Sequence, residues 1–493
     1  MKKERRKELF KNIILIALVI SSLLFTSQIW FNEKLWPEGY NFFVGLRVSA
    51  FDKIASFFGA DTEPEKHTSA KILSPLHLAV YTVKDFDHAM AVLNESSDNY
   101  SYINEYATNT ISYALARDAK GITRVDESMW RKALFTRGIY VDYGVTYKSA
   151  SFLQLMGTAS SPVTEYASSL RRFIITSDDS LVSDVSVYLI DEASGGFYKI
   201  STGLDKNTLT ANIAMFVDEA SANKRFSYSI GADVSAGMAG EVVFAPYLIL
   251  DDEKSQYKTI LSVNPVMRSN DASISAHMLD RIFKAFSINP KTVRKSVIAD
   301  GSAVFVHGQA TLKISPDGVL SYTTAAGGKG LAVTSSAPSS ASSADVLSGS
   351  REALEAVAGS IINSDSTRLY LSNLSEEQNR ITADFDYMCN GVPIIFGAGY
   401  KGQHAVTIEF ENGYLKNYRQ ILRRYEVSDN VFSVNSTYDA NIFSLLSEQE
   451  RRSGISEMFI AYKDNGSAGE KLPSWFVKLE NSSDYRTDTE ISD

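Results

Sequence analysis

The hydrophobic pattern separates one long apolar run from a much longer region in which apolar residues recur at strand and helix spacings. From Ile13 to Phe31 the sequence IILIALVISSLLFTSQIWF carries no charge. As a helix it would extend about 28 Å, close to a hydrocarbon core of about 30 Å. The run predicts a transmembrane helix over 13–31. A cleaved signal peptide shares the basic start, but its apolar stretch is shorter, and Phe25-Thr26-Ser27 is a poor small-x-small cleavage site. Lys2, Lys3, Arg5, Arg6, Lys7 and Lys11 precede the run against Glu4 and Glu8, whereas the far flank offers Lys34 between Glu33 and Glu38. This asymmetry places residues 1–12 in the cytoplasm and the body outside the cell, as a single-pass protein of the cell membrane. Trp30, Phe31, Trp36 and Tyr40 then fall near the outer interface, where amphipathic rings are favoured.

After a tether reaching Glu65, alternating strands and amphipathic helices predict an N-terminal α+β domain over 41–240. Leu76–Val83 reads as a strand. Asp85–Leu93 reads as a helix, because Phe86, Met90 and Leu93 are spaced by four and three. Helices are expected over Tyr100–Arg117 and Ser128–Phe135, and strands over Gly138–Tyr143, Arg172–Thr176 and Asp184–Ile190. Gly195-Gly196 suits a hairpin from the last of these into Phe197–Thr202.

The later chain repeats a pattern. The helical stretch Met278–Phe286 is followed by GQATLKISPDGVLSY from Gly308, and Arg351–Ile362 by GQHAVTIEFENGYLKNY from Gly402. Each segment runs Gly-Gln, strand, an acid or amide followed by Gly, strand, Tyr. Asp317-Gly318 and Asn412-Gly413 are turn dipeptides, since a tight hairpin needs positive φ. Two unrelated hairpins would show the same features, so duplication stays open. The pattern predicts a middle α+β domain over 241–330, a Ser/Ala-rich linker over 331–349 and a C-terminal α+β domain over 350–482. The linker has too little apolar bulk to offset its ordering entropy. Strands near Met458–Tyr462 and Trp475–Leu479 complete the last domain, and a polar tail follows over 483–493.

Charge sharpens this picture. The chain carries −9 overall and its first twelve residues carry six basic and two acidic side chains, +4, so the remainder carries −9 − 4 = −13. An acidic body lacks the footprint of a nucleic-acid binder. With Cys389 as the only cysteine, no internal disulfide forms and packing alone must stabilise the body.

The sequence offers little chemistry, and no cofactor is expected. His67, His77, His88, His277, His307 and His404 are not spaced as metal ligands on one helix, and HExxH is absent, so no metal site is assigned. Asp178-Asp179 and Asp251-Asp252-Glu253 offer carboxylates alone for calcium, but such clusters read more often as solvated turns. Ser255-x-x-Lys258 with Ser428-Asp429-Asn430 imitates two penicillin-binding motifs, but Lys-Thr-Gly is missing and Ser255 precedes a strand-like stretch. Gly327-Gly328-Lys329-Gly330 opens the linker and not a helix, so it is no phosphate loop. No catalytic residue is assigned. In the apolar run, Ala17 and Ser21, and Ser22 and Thr26, lie four apart and would let a partner helix approach closely; a lone anchor also tolerates such residues.

LVISSLLFTSQIW, the segment WRKALFTRGIYVDY from Trp130 to Tyr143, and VSVYLIDEASGGFYKIST resemble the YycH family. So do Val392-Pro393-Ile394-Ile395-Phe396, the hairpin at Gly413 and Leu472-Pro473-Ser474-Trp475. The resemblance implies a three-domain α+β body whose last two domains are related. It also implies a non-catalytic, membrane-anchored regulator that inhibits a cell-wall sensor histidine kinase of Gram-positive bacteria. The implied partners are that kinase, a related membrane-anchored regulatory protein and the membrane. The long Ser/Ala linker departs from the family and argues against rigid docking of the last two domains. A wall-acting enzyme and a scaffold or lipid-presenting protein are the rival classes.

Overall fold

The computed structural model describes residues 70–487 apart from 72, 85–86, 94–98, 117–120, 159–160, 178–183, 217–225, 228–247, 250–254, 269–271, 274, 333–341, 359–365, 378, 398–399, 401, 435–454 and 480–484. The expected membrane span, the tether and the acidic clusters at Asp178 and Asp251 lie outside the described residues. The architecture is mixed α+β, with six α-helices and two large sheets among those residues. Apart from 157 and 158, the described residues fall in one compact unit.

The first sheet has seven antiparallel strands: β1 (His77–Lys84), β2 (Asp87–Leu93), β3 (Ile122–Val125), β4 (Gly138–Lys148), β5 (Ser169–Ser177), β6 (Asp184–Asp191) and β7 (Gly196–Asp205). Their spatial order is β2-β1-β4-β5-β6-β7-β3. Helices α1 (Tyr100–Leu115), α2 (Glu127–Leu134), α3 (Ser149–Leu155) and α4 (Lys206–Ala214) cover it. Ile103, Ala107, Ile111 and Ala114 of α1 recur every three or four positions and bury one face against the sheet. Trp130, Ala133 and Leu134 of α2 pack on Tyr140, Ile174 and Tyr188 in a second core.

The helix expected over Asp85–Leu93 is instead the strand β2, which pairs along β1 from Leu78↔Leu93 to Lys84↔Asp87. Ala91 and Leu93 enter one core and Met90 the other. A strand covered on both faces loses its alternation, and a short apolar run then mimics a helix.

The second sheet is formed by the later chain, joined by the early residues Ala70–Lys71, which pair in parallel with Leu369 and Tyr370. Helix α5 (Ala276–Ala285) leads to β9 (Arg294–Val297), β10 (Ala303–His307), β11 (Ala310–Ile314) and β12 (Val319–Thr324). Helix α6 (Ser343–Ala358) leads to β13 (Thr367–Glu376), β14 (Arg380–Cys389), β15 (Val392–Phe396), β16 (Val406–Glu411) and β17 (Tyr414–Ile421). The hairpins β11–β12 and β16–β17 turn at Gly318 and Gly413, both with positive φ. They meet edge to edge, β12 against β17, and the last tyrosines of the repeated segments, Tyr322 and Tyr418, are register partners. Phe286, just beyond α5, stacks on Tyr322 at 4.7 Å and meets Tyr418 edge-on at 5.1 Å. One continuous sheet thus joins strands from both sides of the expected linker.

Within that linker, Leu331–Ala332 pairs with β17 and Ser343–Ser350 forms the first half of α6. Ser342 and Asp345 make a reciprocal capping box: Asp345 N donates to Ser342 Oγ and Ser342 N donates to Asp345 Oδ2. Val346, Leu347 and Ser350 are buried, so eight residues of serine-rich composition carry a packed helical face.

Further strands are β18 (Arg424–Val434), β19 (Ile455–Asp464), β20 (Gly469–Lys471), β21 (Pro473–Leu479) and β22 (Tyr485–Thr487), the last inside the expected polar tail. β18 pairs with β8 (Ser255–Val263), which in turn pairs with β20. β19, β21 and β22 extend the second sheet beyond β15.

Candidate functional site

Two polar clusters sit in the second sheet, at opposite ends of the segment between β15 and β16. The first is built around Asp464, at the end of β19 and fully buried. Its Oδ2 accepts from Ser262 Oγ at 2.7 Å and from Tyr425 Oη at 2.9 Å, and its Oδ1 accepts from Gly466 N at 2.8 Å. Two buried cations face the carboxylate, Lys471 Nζ at 3.5 Å and Arg423 Nε at 4.0 Å. Arg423 Nη1 donates to the carbonyl oxygens of Asp317 and Leu422, and Nη2 donates to Tyr400 Oη at 3.2 Å. The guanidinium also lies over the Tyr400 ring, 5.5 Å from its centroid. A Cβ on Gly318 would fall 2.7 Å from Arg423 Nη1 and 2.5 Å from Asn264 Oδ1. The turn dipeptide seen in the sequence therefore serves a close approach as well as a positive φ. Both carboxylate oxygens accept hydrogen bonds and both cations donate to protein oxygens, the arrangement of a structural keystone.

The second cluster is built around His404. Asp384 and Asp386 are two apart on β14 and share a face; both are buried. His404 Nδ1 lies 2.8 Å from Asp386 Oδ2, and Nε2 lies 3.8 Å from Asp384 Oδ2. Asp386 Oδ1 accepts from Ala405 N at 2.9 Å. Asp384 accepts from Thr407 Oγ1 at 2.7 Å and Asn373 Nδ2 at 2.9 Å. The β13–β14 register shifts between Leu371 and Asn373. That bulge turns Ser372 so that Oγ donates to the Asp384 carbonyl oxygen at 3.2 Å and stands 3.2 Å from His404 Nδ1. Burial disfavours the imidazolium, but the hydrogen bond to Asp386 and the charges of Asp386 and Asp384 outweigh it and raise the pKa of His404 above its ordinary value.

Ser372, His404 and Asp386 look like a hydrolytic triad, and the geometry refuses that role. In a triad the nucleophile and the carboxylate occupy opposite ring nitrogens. Here both crowd Nδ1 while Nε2 faces a second carboxylate, so the ring is an ion-pair partner.

A third cluster lies in the first sheet. Asp142 Oδ1 accepts from Arg171 Nε and Gly144 N, each at 2.7 Å, and Arg172 Nε lies 3.6 Å from Oδ2. Burial alone would raise the Asp142 carboxyl, but Arg171 and Arg172 hold it well below the usual carboxylate range.

The membrane-helix candidates Ala17, Ser21, Ser22 and Thr26 lie outside the described residues. Ser255 and Lys258 belong to a strand, where a period of two removes the shared helical face the motif requires. Ser428-Asp429-Asn430 lies on β18 beside the register shift opposite that strand, and Asn430 Nδ2 donates to Glu470 Oε1 at 2.8 Å. Gly327–Gly330 leads to the short strand at Leu331. Among the described residues no group of three His, Cys, Asp or Glu is arranged to hold a metal ion, and no helix is long and apolar enough to cross a membrane. The Asp464 and His404 clusters escaped sequence reasoning because their members come from distant strands. Asp384-Phe385-Asp386, an acid pair on one face of a buried strand, was the local signal.

No family model and no curated protein matches the sequence. The fold is similar to the crystal structure of YycH from Bacillus subtilis, with a TM-score of 0.54 and 13% sequence identity, over 86% of this chain and 98% of that one.

Proposed function

Starting from a YycH-like fold, we propose that this protein is a membrane-anchored regulator, without catalytic activity, that inhibits a cell-wall two-component sensor histidine kinase. The observation that carries the proposal is the likeness of fold over nearly the whole of the solved YycH chain. The uncharged run over 13–31 and its basic cytoplasmic flank support a single-pass anchor. Contact between this anchor and the spanning helices of the kinase, together with contacts outside the membrane, shifts the kinase between signalling states by the difference in affinity for each. Ala17 with Ser21, and Ser22 with Thr26, form two close-packing pairs on neighbouring faces of the anchor. A related membrane-anchored protein completes the assembly.

The test is the phosphorylation level of the cognate response regulator after deletion of the gene. A rise during growth or wall stress is expected. An unchanged level under both conditions contradicts the proposal.

A further inference from the structure

We propose that His404 is a proton-operated clasp that holds the segment before β16 onto the Asp384/Asp386 face and thereby keeps Tyr400 seated on Arg423. Both carboxylates are buried, and each of their oxygens is within reach of a donor. Among the described residues His404 is the only cationic side chain within ion-pair distance of either of them. When the ring carries its second proton it bridges both acids. When it is neutral, two like charges on one strand face lose the counter-ion that bridges them.

The clasp is connected to the Asp464 cluster by a short path. Ala405 N donates to Asp386 Oδ1, Gln403 N donates to the Tyr400 carbonyl oxygen at 2.9 Å, and Tyr400 Oη donates to the carbonyl oxygen of Asp317 at 3.1 Å. Loosening Gly402–Ala405 therefore loosens the ring beneath the Arg423 guanidinium and its contact with the turn at Asp317.

The other groups facing His404 set the direction. From β14 come Asp384 and Asp386, which favour the cation. From β21 comes Lys478, which opposes it but is itself paired with Glu457 of β19 at 3.6 Å. From β13 comes Tyr370, whose hydroxyl burial keeps protonated. The histidine pKa is higher folded than unfolded, so this stabilisation is complete below the unfolded value. It is lost as pH rises through the raised folded value. On the regulator proposal above, this identifies proton activity outside the membrane as an input to the protein.

The test is amide hydrogen exchange of the full chain in detergent micelles, corrected for intrinsic rates, from about pH 6 to about pH 9. The Ala405 amide of the wild type is expected to lose protection by about three- to tenfold across that range. This is the effect left to a charge-assisted hydrogen bond after solvent screening of a partly exposed ring. His404→Gln should be weakly protected at every pH, and His404→Lys, which stays charged, should remain protected throughout. A direct NMR titration of His404 should move to lower pH in Asp386→Asn. Constant wild-type protection, or the same loss in His404→Gln, overturns the clasp. If the clasp titrates as expected while deletion of the gene leaves response-regulator phosphorylation unchanged, the clasp stands and the regulator proposal fails.

Discussion

Replacing Asp464 by Asn isolates the charge of the keystone from its shape. The carboxylate accepts Ser262 and Tyr425 at one oxygen and Gly466 N at the other. An amide supplies only one acceptor: with its oxygen kept toward Gly466 N, its NH2 donates to the Ser262 and Tyr425 hydroxyls, whose own protons then lose their buried acceptor, about 1–3 kcal/mol. Arg423 and Lys471 also lose their only nearby anion in this cluster, and breaking a buried pair costs about 3–5 kcal/mol. Both cations retain neutral partners: Lys471 Nζ donates to the Ser467 carbonyl oxygen at 2.7 Å, and Arg423 keeps the Asp317 carbonyl. The lower end, about 3 kcal/mol, is therefore expected. In urea, a slope of about 3 kcal/mol/M converts this to a midpoint shift of about 1 M. Tryptophan fluorescence is a suitable probe, since the buried Trp475 lies on β21 of the same sheet. Ser262→Ala, which removes one hydrogen bond, should shift the midpoint by about a third as much. A shift for Asp464→Asn no larger than that of Ser262→Ala would refute the assignment of a charged keystone.

Gly318→Ala combines positive φ with collisions at Arg423 and Asn264, whereas Gly308→Ala meets only its φ. Denaturation should show a loss of about 1 kcal/mol for Gly308→Ala and clearly more for Gly318→Ala. Asp142 titrates lower folded than unfolded, so its contribution is present above the unfolded carboxylate pKa of about 4 and lost as pH falls through the folded value. Acid unfolding of Asp142→Asn should accordingly lack part of the wild type's rise in stability as pH increases towards neutrality. Ser342→Ala removes the capping box of α6, with an expected loss of about 1 kcal/mol and faster amide exchange in its first turn.

Much of the fold was legible where an element carries a strong local signal of its own. α1, α2 and the strands β4 to β7 carry clear periodicities, and the turn dipeptides at Gly318 and Gly413 fall where the hairpins turn. Pattern failed at β2, a short apolar run in which Val92 is the one β-branched residue. It failed again at Ser343–Ser350, where composition outvoted the Ser342-to-Asp345 capping signal. The polar clusters were illegible for a different reason. Asp464 meets Ser262 and Tyr425 from 202 and 39 residues away, and only strand order brings them together. The bulge at Ser372 has no local mark in the sequence.

The central proposal concerns contact within the membrane, and in-cell photocrosslinking tests it most directly. Probes placed singly from Ile13 to Phe31 should capture a sensor histidine kinase from the two neighbouring faces that carry Ala17 with Ser21 and Ser22 with Thr26, and not from the side of the helix that faces away from both. Leucine at Ser21 and Ser22 should abolish that capture and change response-regulator phosphorylation. Capture of lipid alone at every position would contradict regulation through the membrane helix.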